Sequence, residues 1–256
     1  MITSRANDRV KRVRRLLTDK RYRGQEGVFV VEGSRWLGEL ARAGVQPTEI
    51  YCTPDWLTAA DQAALLGPLV VSPVLVDPGV LASMSDTDTA PGVLAVVPIP
   101  SRPIPETAGL LLVLDGLANP GNLGTILRTA AAAGVGGVLL TPGAVDPTNP
   151  KVVRGSMGAL LRLPVQTAPW DVIVAHLAGR EVWLAASAAG TPYMAVDWRR
   201  PAALIIGSEA QGAGAEAERA ATGRLTIPMA DETESLNAAV AAGVILFEAA
   251  RQRAGG

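Results

Sequence analysis

Cysteine and histidine are nearly absent: the 256 residues hold one of each, Cys52 and His176. A single thiol excludes an intrachain disulfide and a multi-cysteine zinc site, and a single imidazole leaves no histidine-rich centre, so no metal is expected. Aromatic residues make up only 4% of the chain. The core must therefore be aliphatic and closely packed, as in parallel α/β proteins whose buried strands read as apolar runs. Charged residues stop at 18% against 48% hydrophobic, which excludes disorder over most of the length. The apolar runs are too short, and too often broken by Gly or Pro, to span a membrane. Residues 1–27 lack the apolar stretch of a signal peptide. The expectation is a soluble cytoplasmic protein in which Cys52, His176 and the five tryptophans serve structure.

Charge is present but unevenly placed. The net charge is −1, yet residues 1–27 carry nine Lys or Arg (Arg5, Arg9, Lys11, Arg12, Arg14, Arg15, Lys20, Arg21 and Arg23) against Asp8, Asp19 and Glu26. A basic end on an acidic body suggests a polyanionic partner; a solvated arginine-rich helix is the other reading.

The pattern along the chain alternates strand and helix twice. Residues 5–19 place Val10, Val13, Leu16 and Leu17 at helical spacing. Strands are predicted at 28–33, 48–52, 69–72 and 91–97, with helices at 34–44 and 61–67 and a helix-like centre in 77–86. This makes a small α/β domain over residues 1–97. Residues 98–108 hold four prolines, too many for a sheet or helix interior, and read as an extended linker. From 109 to 256 the alternation restarts. Strands are expected at 110–116, 135–141, 181–187, 203–208 and 224–229, and helices at 122–134, 152–165 (running into a short strand), 170–179 and 235–253. No repeat of fixed period occurs.

Polar residues cluster at the carboxyl ends of three apolar strands, the edge where open parallel sheets bind ligands. In 115–130 (DGLANPGNLGTILRTA) a turn opens a helix that carries Arg128 within an apolar stretch; taken alone this is a capped helix, although an unpaired arginine there would be costly to bury. In 205–214 (IIGSEAQGAG) glycines flank Glu209 and let a ligand approach backbone, although an ordinary turn reads the same way. In 227–243 (IPMADETESLNAAVAAG) Ser235 and Asn237 open a small-residue helix, as an N-cap or as groups that orient a hydroxyl or carboxylate. Neither a GxGxxG fingerprint nor a phosphate loop is present, which argues against a Rossmann-type metabolic enzyme.

Together these segments resemble the three motifs of the SpoU-type, or TrmH-like, RNA 2′-O-methyltransferases: N-x-G-x-x-x-R-T-A at 122–130, G-x-E-x-x-G at 207–212, then I-P-M at 227–229 and S-L-N at 235–237. The patterns N-x-R-V-K (7–11) and F-V-V-E-G (29–33) are similar to the substrate-binding domain that many members carry. The resemblance implies an α/β fold: a small N-terminal RNA-binding domain and a C-terminal parallel-sheet methyltransferase domain tied in a deep trefoil knot, acting as a homodimer. It implies S-adenosylmethionine held by Gly207, Ile227 and Leu236, with Glu209, Met229, Ser235 and Gly212 nearby. It implies Arg128 beside the ribose hydroxyl, with Asn122, Glu209, Ser235 and Asn237 holding it and the substrate. Arg9, Lys11, Arg12, Arg14, Arg15, Arg21 and Arg23 then become expected phosphate contacts, whereas Glu32 and Gly33 are expected to fix a turn. Ribosomal RNA is the expected substrate. Transfer RNA methylation is the alternative within the enzyme class, and a non-catalytic ribosome-associated RNA-binding factor is the alternative outside it. Residues 231–234 (DETE) form an acidic run beside the proposed RNA site.

Overall fold

The computed structural model describes residues 1–209, 211–230 and 235–255, so the acidic run 231–234 lies outside it. The chain divides into two compact units, residues 1–100 with 148–161, and residues 101–147 with 162–256.

In the first unit α1 (Asp8–Thr18) and α2 (Lys20–Glu26) precede β1 (Val28–Glu32). Asn7 caps α1 by accepting the Arg9 N–H, and Asp19 caps α2 by accepting the Tyr22 N–H. There follow α3 (Ser34–Ala43), β2 (Glu49–Cys52), α4 (Pro54–Thr58), α5 (Ala60–Ala63), β3 (Val74–Leu75), α6 (Pro78–Ala82) and β4 (Val93–Pro98). The sheet runs β1-β4-β2-β3, with β4 antiparallel to both its neighbours and β3 parallel to β2. Val10, Val13 and Leu16 of α1 pack with Val30, Tyr51, Leu94 and Val96 of the strands. The strand expected at 69–72 is absent; pairing with β2 begins at Val74, directly after Pro73, which has no N–H to give a ladder. A later helix, Pro150–Ser156, and the single turn Ala159–Leu161 complete this unit by packing on β1 and α3.

The second unit is a parallel sheet. In chain order it contains β5 (Leu110–Leu114), α7 (Pro120–Ala132) and β6 (Gly137–Leu140). After α8, the helix Pro150–Ser156, come β7 (Val165–Thr167), α9 (Trp170–Leu177), β8 (Glu181–Ala185) and β9 (Thr191–Pro192). The unit ends with β10 (Ala202–Ile206), α10 (Ala215–Ala220), β11 (Gly223–Thr226) and α11 (Ala238–Ala254). The order is β7-β6-β5-β10-β8-β11-β9, parallel throughout. Every residue of β5, β6 and β10 is buried, as expected of strands covered on both faces. β6 and β7 lie to one side of β5 and the later strands to the other, so the order reverses between β5 and β10. Open α/β sheets bind ligands at such a point, outside the carboxyl ends of the strands.

Beyond Pro98 the proline-rich stretch carries no helix or strand, and it is anchored at points along its length. Ile104 and Ala108 are buried in the core of the second unit. Arg180 donates to the Ala108 and Glu106 carbonyls, and Arg253 donates to Gly109 O at 2.8 Å.

Candidate active site

β10 ends at Ile206, and Gly207 follows. A Cβ at 207 would lie 2.4 Å from Ala213 N and Gly212 C, so only glycine fits where the loop folds back on itself. The fold-back is closed by two backbone hydrogen bonds of 2.9 Å between Ser208 and Gly212. Gly212, at φ +70, makes the turn in a region that glycine enters without steric cost. The G-x-E-x-x-G spacing therefore has a local physical cause, and it leaves Glu209 exposed at the tip.

Beside this loop lies a cavity of about 490 Å³, formed at the carboxyl ends of β8, β10 and β11 and the start of α11. Every residue expected to hold the cofactor lines it: Gly207, Glu209, Gly212, Ile227, Met229, Ser235 and Leu236. Asn237 lines it as well. The sequence reading missed the β8 end, Ala185, Ala186 and Ser187. The only available signal was an apolar strand ending in small residues. Glu209 is the one ionisable group among the described lining residues; the rest of the wall is uncharged side chain or backbone.

The rim is ordered by a chain of amides. Asn119, not Asn122, caps α7, accepting the N–H groups of Gly121 and Asn122. This frees the Asn122 side chain, whose Nδ2 donates to Glu209 Oε1 and whose Oδ1 accepts from Asn237 Nδ2 at 3.2 Å. Asn237 Oδ1 caps α11 by accepting the N–H groups of Ala239 and Val240. The carboxylate at one end accepts only, so it fixes the direction of both amides. Asn237 rather than Ser235 is thus the helix cap, and Ser235 faces the cavity without that duty. Asn122, Glu209 and Asn237, 87 and 115 residues apart in pairs, meet at one edge of the cavity.

Arg128 does not join them. It is exposed, it does not line the cavity, and it has no hydrogen-bond or ion-pair partner among the described residues. Its exposure avoids the cost that unpaired burial would carry. Leu123, Ile126, Leu127 and Ala130 form the inward stripe of α7, while Gly121, Thr125 and Arg128 face outward. α7 packs along α11, with Thr129 beside Gly243.

The basic helices divide by role. Arg9, Arg14 and Arg21 are exposed and unpaired among the described residues. Lys11 pairs with Asp8, and Arg15 pairs with Asp19 and lies over the Tyr22 ring. Arg12 is held between Glu26 and Glu49, and these carboxylates raise its pKa against the cost of burial. Arg23 leaves the expected RNA-contacting set. It is only 3% exposed and donates to Leu16 O at 2.7 Å and Thr148 Oγ1 at 3.1 Å. Cys52 is buried, and desolvation pushes its thiol pKa up, as suits a structural cysteine. Glu32 accepts from Ser85 and the Asp86 N–H, bracing the turn at Gly33 (φ +96).

Comparison with known proteins decides the family. Residues 109–247 match the model of the SpoU rRNA methylase family. The chain belongs to the SpoU rRNA methylase family. Residues 7–95 match an MRM3-like substrate binding domain, a second module ahead of the SpoU segment. An uncharacterized tRNA/rRNA methyltransferase of Synechocystis sp. is 40% identical, over 98% of this chain and 94% of its own length. The 23S rRNA (guanosine(2553)-2′-O)-methyltransferase RlmP of Bacillus subtilis is 29% identical, over 96% and 97%. Among solved structures, the SpoU methyltransferase AviRb of Streptomyces viridochromogenes, in complex with AdoMet, superposes with a TM-score of 0.89 at 29% identity, covering 98% of this chain and 99% of its own. The SpoU resemblance read from three short motifs therefore extends over both units. No helix among the described residues is long and apolar enough to cross a membrane, and no group of His, Cys, Asp and Glu among them is placed to hold a metal.

Proposed function

We propose that this protein uses S-adenosylmethionine to methylate a ribose 2′-hydroxyl of ribosomal RNA, in the large subunit. One observation carries the reading: segments far apart in sequence supply a single cavity at the carboxyl ends of β8, β10 and β11, and its rim is tied by Asn122, Glu209 and Asn237. The cavity's volume suits a small organic ligand. Leu225, Ile227 and Ile245 offer apolar wall, Gly207 and Gly212 offer bare backbone, and Glu209 and Ser235 offer polar anchors, a mixture that fits a nucleoside joined to an amino acid. Relatives named for 23S rRNA, together with the substrate-binding module at 7–95, favour rRNA over tRNA.

Bound S-adenosylmethionine supplies a methyl group already activated by its sulfonium. The chain must orient the ribose hydroxyl and handle its proton, the latter worth about 10²–10⁴-fold. Asn122, Ser235 and Asn237 are the groups for orientation, with Glu209 fixed among them. An arginine such as Arg128 is a poor literal base. Its role is to hold a neighbouring phosphate and the charge developing on the ribose oxygen. Arg128 is exposed on α7 and outside the cavity lining, which supports a role on the RNA and not on the cofactor. A homodimer is part of the proposal, supported by Val240 and Phe247, seven residues apart on α11 and 51% and 54% exposed. So is the trefoil knot, supported by the return of β10 to the middle of the sheet after β8 and by Asn237, beyond β11, reaching α7. A cytoplasmic setting is part of the proposal, supported by the bacterial relative that acts on 23S rRNA.

The test pairs calorimetry with a methylation assay. Arg128→Ala is expected to lower methylation by about 10²-fold or more while S-adenosylmethionine affinity stays within about threefold. Equal loss of both would give Arg128 a structural role and sink the assignment.

A further inference from the structure

Asp115 stands at the carboxyl end of β5, only 9% exposed, and plays no part in the site described above. Its backbone N–H donates to Ile206 O at 2.9 Å, and its Oδ2 accepts the Gly214 N–H at 2.7 Å. Ile206 is the last residue of β10 and Gly214 the residue before α10, so the two partners bracket the loop that carries Gly207, Glu209 and Gly212. One residue of a neighbouring strand therefore grips both ends of that loop. Among the described residues, the loop's own hydrogen bonds close the turn between Ser208 and Gly212. Its exit lies beyond that turn, where Gly214 is held through its N–H by the Asp115 carboxylate and through its carbonyl by the Glu218 N–H. The carboxylate is itself steadied, because the adjacent Gly116 N–H donates to Thr141 Oγ1 at 2.9 Å. At 2.7 Å the bond lies at the short end of the N–H···O range, as bonds to carboxylates do.

We propose that Asp115 is a positioning residue for cofactor binding: by accepting the Gly214 N–H it holds the 207–214 loop in the shape that takes S-adenosylmethionine. The inference rests on the methyltransferase reading, because it assigns the cavity to that ligand. Asp115 touches no reacting group. Its effect belongs in cofactor affinity and not in the rate of the chemical step.

The experiment measures two quantities in the full-length protein. The first is hydrogen exchange at Gly214 and its loop without ligand; the second is S-adenosylmethionine affinity by calorimetry. D115A should speed Gly214 exchange by about tenfold and weaken affinity by about tenfold or more, as loss of one hydrogen bond to a carboxylate predicts. D115N keeps an oxygen facing Gly214 and should restore both to within about threefold. D115A with wild-type affinity, beside a wild type that binds, overturns the proposal. So does a D115A chain that fails to fold, because Asp115 would then hold the whole domain and not one loop. If the wild type binds no S-adenosylmethionine, the cofactor reading has failed, and ligand-free exchange alone decides the clamp: faster exchange in D115A supports it and unchanged exchange refutes it.

Discussion

A methyl group at position 207 has nowhere to go. Its nearest neighbours would be backbone atoms of residues 212 and 213, which cannot swing aside as a side chain would. Gly207→Ala should therefore cost about 1–3 kcal/mol of stability and remove most S-adenosylmethionine affinity, as read by thermal unfolding and calorimetry. An alanine variant with unchanged affinity would place the ligand elsewhere. The glycine was legible as a motif letter, but the crowding behind it depends on a fold-back that no periodicity reveals. Ser235 and Asn237 are both good helix caps by residue type, and only the backbone path assigns the duty to Asn237. Asp115 heads the segment 115–130, yet its partner N–H is 99 residues away. The outward placing of Arg128 was readable. Leu123, Ile126, Leu127 and Ala130 fall at helical spacing, and position 128 lies off that stripe.

Elements divide the arginines more sharply than sequence does. In α1 the buried positions Val10, Val13 and Leu16 turn Arg9 and Arg14 to solvent. α2 has no apolar stripe to announce it and was not expected as a separate helix; its anchor is Arg23, which satisfies the carbonyl of Leu16 from within. Two outcomes separate these roles. Arg23→Ala should destabilise the protein by about 2 kcal/mol, because it strands a buried acceptor. Arg9, Arg14 and Arg21 changed together to glutamine should leave the unfolding midpoint nearly unchanged while weakening RNA binding. The slope of log affinity against log salt should become shallower by about 0.7 for each phosphate no longer neutralised. An unchanged slope would return these three to a merely solvated face. The strand expected at 69–72 fails for a local reason: Leu69, Val70 and Val71 suit a strand by type, but Pro73 has no N–H for the ladder, and pairing with β2 starts at Val74.

At the scale of the whole molecule, the alternation of strands and helices announced two α/β units, and hydrophobic runs announced a parallel sheet. Strand order was beyond reach, since nothing local in residues 202–206 says that β10 enters between β5 and β8. Nor does sequence say that residues 148–161, drawn from the middle of the later segment, complete the first unit. Those long-range choices bring the three motifs to one cavity, and the motif order alone let their convergence be anticipated. The central claim is that this cavity delivers a methyl group to a ribose oxygen. Its most direct test is to incubate the protein with isotopically labelled S-adenosylmethionine and 23S rRNA, digest the RNA to nucleosides and locate the label by mass spectrometry. The account predicts label in a single 2′-O-methylnucleoside, absent with the Arg128→Ala protein. Label on a base, or no label at all with a wild type that binds the cofactor, would contradict it.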